Sequence, residues 1–215
     1  MTASANVTLF HAPRTRSQGA QILLEELGAP YELHVLNLKL GEQLEPEYLA
    51  INPLGKVPAI KHGDAIVTEQ VAIYIYLADA FPEKGLAPAI GDPLRGPYLR
   101  WIAFYGSAFE PAVVDRARKT EPGLRAMSPY GDFERVMGVV RAQLAKGPYL
   151  FGERFTAADI LWGTALRWMT SFGLLEATAE IAAFVERIAS RESVKKVGRH
   201  DHELATAQEA AAAQG

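Results

Sequence analysis

The chain has 215 residues, of which 49% are hydrophobic and 22% are charged, and its net charge is −3. This balance gives no basic surface for nucleic acid or an anionic membrane, and the length favours two small domains. The chain has no cysteine, which excludes disulfides, thiolate metal sites and a cysteine nucleophile.

Two further features concern the cellular location. Residues 1–6 carry neither the basic segment nor the apolar run of a signal peptide. No stretch of the sequence reaches the roughly 18 apolar residues that span a bilayer. Together with the absence of cysteine, these features predict a cytoplasmic protein with no membrane partner.

Residues 1–81 alternate between strand and helix patterns and predict one domain. In chain order the patterns are a strand at 7–11, a helix at 21–27 ending at Gly28, a strand at 31–36, a short helix at 45–50, a hairpin at 60–67 and a helix at 71–81. The order β-α-β-α-β-β-α predicts an α/β thioredoxin-like domain. A right-handed crossover makes its first two strands parallel, and the hairpin makes its last two antiparallel.

Residues 82–93 contain three prolines and two glycines and predict a linker. The sequence after it has helical periodicity, which predicts an all-α domain over residues 94–200. The predicted helices are 94–117, kinked near Pro111, then 133–146, 157–172 and 181–190, with a shorter one starting at 194–197. Thr156 and Asp159 have capping-box spacing at the start of the third of these helices. Residues 201–215 are rich in alanine and polar, which predicts a flexible tail.

The segment from Asn52 to Asp79 carries the strongest functional signal. Val57-Pro58 stands directly before a short apolar run, where a central strand excludes proline, so we predict a turn with an X-Pro bond that can be cis. Such a turn leaves the N–H and C=O of Val57 free to pair with a peptide-like ligand. Glu69 and Gln70 then stand at a helix start, where N–H groups bind a carboxylate and Glu69 binds an ammonium. This combination predicts a site for glutathione.

These motifs resemble those of the cytosolic glutathione transferase family, in particular its bacterial members. The resemblance extends over residues 7–197, and its most specific parts are 52–60, 69–79 and 155–160. It implies glutathione as a co-substrate and no metal. It also implies a role in detoxification, in which the glutathione thiolate attacks a small, apolar electrophile.

The resemblance also implies further binding residues and an assembly. Gln70 would bind the γ-glutamyl carboxylate, and Lys39 and Lys56 are candidates for the glycyl carboxylate. Tyr105 and Phe109 would line an apolar pocket for the second substrate, although an aromatic stripe at helical spacing is more often part of a core. The helices that begin near residues 69 and 94 have apolar residues on more than one face, as in relatives that pair through them, so we predict a homodimer.

The group that activates the thiol is left open by the sequence. The family uses a hydroxyl or a cysteine near the first strand-helix junction, which here runs from His11 to Gln18. The usual cysteine position is occupied by Arg16, the usual serine position lies near Arg14, and the usual tyrosine position lies near His11 or Phe10. The candidates are therefore the Ser17 hydroxyl, the Arg16 charge, the Thr15 hydroxyl (which has capping-box spacing to Gln18) and His11.

Two rival functions and one motif that resembles a metal site are also compatible with parts of the sequence. Glutathione-dependent reduction of disulfides or peroxides is a rival enzymatic function. A non-catalytic glutathione-binding protein is a rival from another class, because the standard activators are missing. His200-Asp201-His202 resembles a metal-binding pair, but the sequence offers no third ligand, so we predict no metal site.

Overall fold

A four-stranded mixed sheet forms the centre of the first part of the chain. In the computed structural model, which describes residues 6–120 and 123–213, its strands are β1 (Val7–His11), β2 (Tyr31–Val35), β3 (Ala59–His62) and β4 (Ala65–Val67). Their spatial order is β2-β1-β3-β4. β1 and β2 are parallel, whereas β3 is antiparallel to both β1 and β4. The predicted topology is confirmed. Residues 1–5, which include most of the segment analysed for a signal peptide, lie outside the described residues.

Three helices belong to this sheet: α1 (Ser17–Leu27), α2 (Pro46–Leu49) and α3 (Gln70–Ala80). α1 ends as predicted at Gly28, which has a φ of 61° and donates its N–H to the carbonyl of Glu25. It begins four residues before the predicted helix. The early turn was missed because its buried residues are small or polar, so they add nothing to an apolar period.

The helical part contains α4 (Arg95–Phe104), α5 (Glu110–Ala117), α6 (Phe133–Leu144), α7 (Ala157–Ser171) and α8 (Ala179–Ala189). The segment predicted as one helix over 94–117 is interrupted by a π-helical turn at Tyr105–Phe109. Pro111 explains its place, because proline has no N–H to donate and its ring clashes with the carbonyl four residues earlier, at Ser107. The helix predicted over 94–117 is therefore divided in the turn before the proline.

The start of α7 carries the predicted capping box, which is confirmed. Thr156 is the N-cap, and the buried carboxylate of Asp159 accepts hydrogen bonds from the Thr156 N–H (2.8 Å) and hydroxyl (3.0 Å). The N–H of Leu150 donates to its other oxygen at 2.7 Å. Burial raises the pKa of Asp159 to about 6, although these hydrogen bonds act in the opposite direction. The carboxylate thus fixes both the helix start and the preceding loop.

The last helix, α9 (Glu192–Ala212), is much longer than the short helix predicted near residue 194. Residues 201–212, predicted as a flexible tail, form its second half, and residues 214–215 of that tail lie outside the described residues. Alanine has the highest helix propensity, and Asp201 and Ala205 continue the buried stripe of Val194 and Val197 at helical spacing. The same alanine content that suggested a tail therefore favours the helix.

α9 packs on α1 and belongs to the sheet-containing unit. Arg191 donates two hydrogen bonds to Glu26, of 2.6 and 2.7 Å, and Lys196 donates one of 2.7 Å to Glu25. The chain thus divides into two compact units: one ends at Lys84 and resumes at Arg191, and the other is Gly85–Ser190. The predicted domains were instead sequential, with a linker at 82–93 and a helical domain at 94–200.

Candidate functional site

Strand register brings three segments to one edge of the sheet. Phe10 pairs with Ala59, so the end of β1 lies beside the start of β3. Ile60 pairs with Val67, so the chain leaving β4 is at the same edge. The loop 12–16, the residues 57–58 and the start of α3 at residues 69–70 therefore converge. These segments contain most of the residues that the sequence predicted for ligand binding.

The Val57-Pro58 peptide bond is cis, as the sequence allowed. The turn before it is fixed by the carbonyl of Lys56, which accepts hydrogen bonds from the Tyr48 hydroxyl and from Asn52 Nδ2 (2.8 Å). Burial raises the pKa of Tyr48 to about 12, with a smaller opposing effect from the Asn52 hydrogen bond. Tyr48 therefore stays a neutral donor.

The backbone of Val57 is available to a ligand. Within the described residues, neither its N–H nor its C=O has a hydrogen-bond partner. The turn that presents it requires glycine at position 55, where φ is 60° and a Cβ would lie 2.9 Å from the carbonyl oxygen of Gln43. An available donor and acceptor on one residue match the backbone of a peptide-like ligand.

Glu69 is the N-cap of α3 and adopts φ 63° and ψ 118°, a rare conformation for a residue other than glycine. Such a conformation costs about 1–3 kcal/mol and is found mostly at functional sites. The Glu69 side chain is exposed, and Gln70 is half-buried as the first residue of the helix. The positive end of α3 and a carboxylate therefore stand side by side at this edge of the sheet.

The two lysines predicted to bind the glycyl carboxylate lie on different segments. Lys56 is exposed and directly precedes Val57. Lys39 is exposed in the loop after β2, and its Nζ lies 3.8 Å from a carboxylate oxygen of Glu209 on α9. Lys56 therefore shares a segment with the available backbone of Val57, whereas Lys39 is placed toward α9.

Ser17 lies in the interior of the site loop. The residue is completely buried, and its Oγ accepts the Ala12 N–H at 3.1 Å. The same oxygen is 2.8 Å from His11 Nδ1 and 2.7 Å from Thr15 Oγ1. Ser17 is in the first turn of α1, as predicted, but it exposes no surface to a thiol.

Thr15 and Arg16 are the more accessible candidates. Thr15 is half-buried, and its hydroxyl donates to the Ala12 carbonyl at 2.7 Å. Arg16 is exposed and is itself the N-cap position of α1. The capping box predicted from Thr15 and Gln18 is wrong, because Gln18 donates its N–H to the Thr15 carbonyl. The N-cap residue Arg16 makes no side-chain cap, and Thr15 Oγ1 instead accepts the N–H of Ser17 at 3.3 Å.

α9 completes the loop in a way that the sequence did not indicate. Both carboxylate oxygens of Asp201 accept the Arg14 N–H, at 3.0 and 3.3 Å. The Arg14 guanidinium donates to Glu209 at 2.7 Å, and His11 Nε2 lies 3.4 Å from Asp201 Oδ1. Asp201 occupies the buried stripe of α9, where a carboxylate requires a polar partner. The sequence did not indicate this partner, because residues 201–215 were predicted as a flexible tail.

Tyr105 and Phe109 belong to the core of the helical unit. Only 1% of Tyr105 and none of Phe109 is exposed. Both rings contact Trp162, with centroids 5.9 and 4.7 Å away, and the Trp162 indole N–H donates to the carbonyl of Trp101. The core interpretation of this aromatic stripe, rather than a substrate pocket, accounts for their positions.

The described residues offer neither a metal-binding cluster nor a membrane-spanning helix. No group of three or more histidine, aspartate or glutamate side chains is arranged to hold a metal in the described ranges. Asp201, the middle residue of the His200-Asp201-His202 segment, contacts His11. Among the helices that the structure describes, none is long and apolar enough to cross a membrane.

Comparison with known proteins gives consistent matches. Residues 5–79 match the family model of the glutathione S-transferase N-terminal domain, and residues 111–187 match that of the C-terminal domain. Glutathione S-transferase GstA of Escherichia coli O157:H7 is 31% identical over 191 residues, which cover 87% of this chain and 94% of the relative. Glutathione S-transferase F10 of Arabidopsis thaliana is 26% identical over 207 residues, covering 89% of this chain and 95% of the relative.

Solved structures agree with these matches. A glutathione transferase from Methylococcus capsulatus superimposes with a TM-score of 0.77 at 29% identity, covering 91% of this chain and 98% of that one. A homologue from Sulfitobacter, solved with bound glutathione, gives a TM-score of 0.74 at 28% identity with the same coverage. The matches extend over both compact units, and the chain belongs to the glutathione S-transferase family.

Proposed function

We propose that this protein is a glutathione transferase, in which the bound glutathione thiolate attacks a small, apolar electrophile. The observation that carries the proposal is the available backbone of Val57, beside a cis proline and at the same sheet edge as Glu69. An enzyme of this kind accelerates the reaction by binding the thiolate more tightly than the thiol. Thiolate formation at neutral pH is therefore the central requirement.

Each part of the tripeptide has a candidate partner at this edge. The N–H and C=O of Val57 would pair with the cysteinyl backbone. The γ-glutamyl end carries an ammonium, which suits the exposed Glu69 carboxylate, and a carboxylate, which suits Gln70 and the first N–H groups of α3. Lys56 would bind the glycyl carboxylate, with Lys39 as the second candidate.

The site loop supplies candidates for thiolate stabilisation. Thr15 is a half-buried residue with a hydroxyl, and Arg16 adds a permanent positive charge at the start of α1. A free thiol has a pKa of about 8.5, so lowering it by roughly two units raises the thiolate fraction at pH 7 more than tenfold. The buried Ser17 would hydrogen-bond to Thr15 rather than to the sulfur.

Binding is tested by substituting Glu69. Replacement by alanine should weaken glutathione binding by about 1.5–3 kcal/mol, because a charge-assisted hydrogen bond is lost. Glu83→Ala is the matched control, since Glu83 is also exposed and follows the far end of α3. Isothermal titration calorimetry measures both. An affinity that is equal in the two variants would contradict the placement of the ammonium.

The reaction is tested with two substrates and the wild-type protein. Conjugation of glutathione to a chromogenic aryl halide supports the transferase. Reduction of a disulfide without conjugation supports the rival reductase, and tight binding with neither reaction supports a non-catalytic binder. We also propose a homodimer and a cytoplasmic location, for which the sequence patterns described above are the support.

A further inference from the structure

A buried histidine lies behind the site loop and has partners on both ring nitrogens. His11 is completely buried, at the last position of β1. Its Nδ1 is 2.8 Å from Ser17 Oγ, and its Nε2 is 3.4 Å from Asp201 Oδ1. The second contact is an electrostatic one, since its geometry is not that of an aligned hydrogen bond. Only 5% of the Asp201 side chain is exposed, so solvent screens this contact weakly.

The chain of polar groups continues outward to the accessible surface. Ser17 Oγ is 2.7 Å from Thr15 Oγ1, and Thr15 is half-exposed in the loop at the ligand-binding edge. Thr15, Ser17 and His11 each carry an atom that can both donate and accept a hydrogen bond. Two hydrogen bonds therefore connect the hydroxyl of the half-buried Thr15 with the His11 imidazole, and an electrostatic contact continues from there to the Asp201 carboxylate.

We propose that the hydrogen-bonded series Thr15, Ser17 and His11, called the relay below, takes up the thiol proton of bound glutathione and stores it on His11. The inference rests on the proposed function. The S–H bond breaks and its proton bonds to Thr15 Oγ1, the Thr15 proton passes to Ser17 Oγ, and the Ser17 proton passes to His11 Nδ1. The sulfur keeps the electron pair as a thiolate, and His11 becomes an imidazolium with Asp201 beside Nε2. Each hydrogen bond reverses direction, and no further reactant is needed.

The backbone of Ala12 holds the two hydroxyls in place for this transfer. Its N–H donates to Ser17 Oγ at 3.1 Å, which leaves Ser17 one lone pair for Thr15. The Ser17 proton can be donated to the Ala12 carbonyl at 3.2 Å or to His11 Nδ1 at the shorter distance of 2.8 Å, and the relay uses the second. Its carbonyl accepts from Thr15 at 2.7 Å. Thr15 must turn its hydroxyl from this carbonyl toward Ser17, a rotation about one bond. In the thiolate state Thr15 donates to the sulfur, so Thr15 is the residue of the relay that contacts the reacting atom.

The charges around His11 favour a stored proton. Asp201 is the charged group on α9 that contacts the imidazole, and on β2 the residue in register with His11 is the apolar Val35. The Arg14 guanidinium, which would oppose an imidazolium, is paired with Glu209 at 2.7 Å. Arg14 contributes its N–H to Asp201 instead and so holds the carboxylate in position.

The neighbouring histidine on α9 is directed elsewhere. His200 Nδ1 lies 3.4 Å from Gln21 Nε2, on the face of α1. Ser17, His11 and Asp201 therefore form the interior part of the chain, and they act on glutathione only through Thr15. We treat them as positioning and relay residues.

The wild-type protein alone gives the decisive measurement. Glutathione and S-methylglutathione, which has no thiol proton, are titrated in two buffers of different ionisation enthalpy, and the thiolate absorbance is recorded. A stored proton predicts that the thiolate forms with little proton release to the buffer. It also predicts that glutathione, but not S-methylglutathione, shifts the imidazole nitrogens of His11 to imidazolium positions in ¹⁵N NMR. Release of about one proton per thiolate overturns the proposal.

Variants of single residues test the relay. Ser17→Ala and His11→Gln break it, and Asp201→Asn removes the charge beside the imidazolium, so each should lower the thiolate fraction of bound glutathione at pH 7 by about tenfold or more. Glu203→Gln is the control, because Glu203 is an exposed carboxylate on the same helix. An unchanged thiolate fraction in folded Ser17→Ala overturns the relay. Where a variant does not fold, the wild-type measurement decides.

The two proposals fail in different ways. If the wild-type protein binds S-methylglutathione and Glu69→Ala weakens that binding, the glutathione site stands whatever the proton measurements give. If neither glutathione nor its methyl derivative binds, both the proposed function and the relay are overturned.

Discussion

Gly163 of α7 tests how closely two helices of the second unit pack. A Cβ at this position would lie 2.5 Å from Ile188 Cγ1 and 2.7 Å from both Cβ and Cγ2 of the same residue in α8. Because the Ile188 Cβ is attached directly to the backbone, α8 itself must move to admit the methyl group. Overpacking of this kind costs about 1–3 kcal/mol, and we expect the upper end.

The helix propensity of alanine offsets part of that cost. Replacing glycine by alanine inside a helix gains about 1 kcal/mol, so Gly163→Ala should lower the free energy of unfolding by about 2 kcal/mol net. Gly138 of α6 is the matched control, since it is also in a helix interior and a Cβ there would meet nothing within 4 Å. Gly138→Ala should therefore stabilise the protein by about 1 kcal/mol.

Equilibrium unfolding in urea measures both variants against the wild type. The gap of about 3 kcal/mol between them isolates the packing cost, because the propensity gain is common to both. An increase in stability for Gly163→Ala similar to that for Gly138→Ala would refute the reasoning, since it would place α7 and α8 further apart than the structure does.

Three further expectations concern a helix cap, an ion pair and the assembly. Asp132→Ala should lower the free energy of unfolding by about 1 kcal/mol, measured in urea, because the Asp132 side chain accepts the Arg135 N–H at 2.8 Å as the N-cap of α6. For Glu26, burial would raise the pKa, but the hydrogen bonds from Arg191 and Ser193 lower it below its ordinary value of 4.5. The ionised pair therefore stabilises the fold above about pH 4.5, and this effect is lost as the pH falls through the pKa of Glu26 in the folded protein. Glu26→Gln should lower the free energy of unfolding, measured in urea, by about 2 kcal/mol at pH 7 and by little in acid. An equal loss at both pH values would contradict this. Light scattering at micromolar concentration should show twice the chain mass of 23.5 kDa, and a species of 23.5 kDa would contradict the homodimer.

The elements of the sheet were predictable because their signals are local. An apolar run ending at His11, a glycine after Leu27 and a Gly63-Asp64 turn each determine one element through a few neighbouring residues. α9 was not predictable in the same way, since alanine and polar residues suit both a frayed tail and a long helix. What decides between them is burial of Asp201 against another part of the chain, which no local pattern contains.

The candidate site shows the same difference between features with a local sequence signal and features that depend on distant contacts. The unusual backbone at Val57-Pro58 and at Glu69 could be anticipated because it leaves a mark on the sequence, a proline before a strand or an acid before a helix. The arrangement behind the loop depends on which face of α1 is buried, and this sets Ser17 inward and leaves Arg16 exposed. The spacing of the two residues along the chain is compatible with either orientation.

The return of α9 to the first unit has a consequence for biosynthesis. A ribosome releases β1 to α3 first, but the partner of Arg14 and His11 leaves the exit tunnel only after the whole of Gly85–Ser190 has been translated. The unit that begins first is therefore completed only after the second, and a nascent chain halted before Glu192 carries a sheet whose loop 12–16 has no Asp201 to hold it. The native arrangement of this loop is in this way coupled to the translation of α9 rather than to the emergence of the first 84 residues.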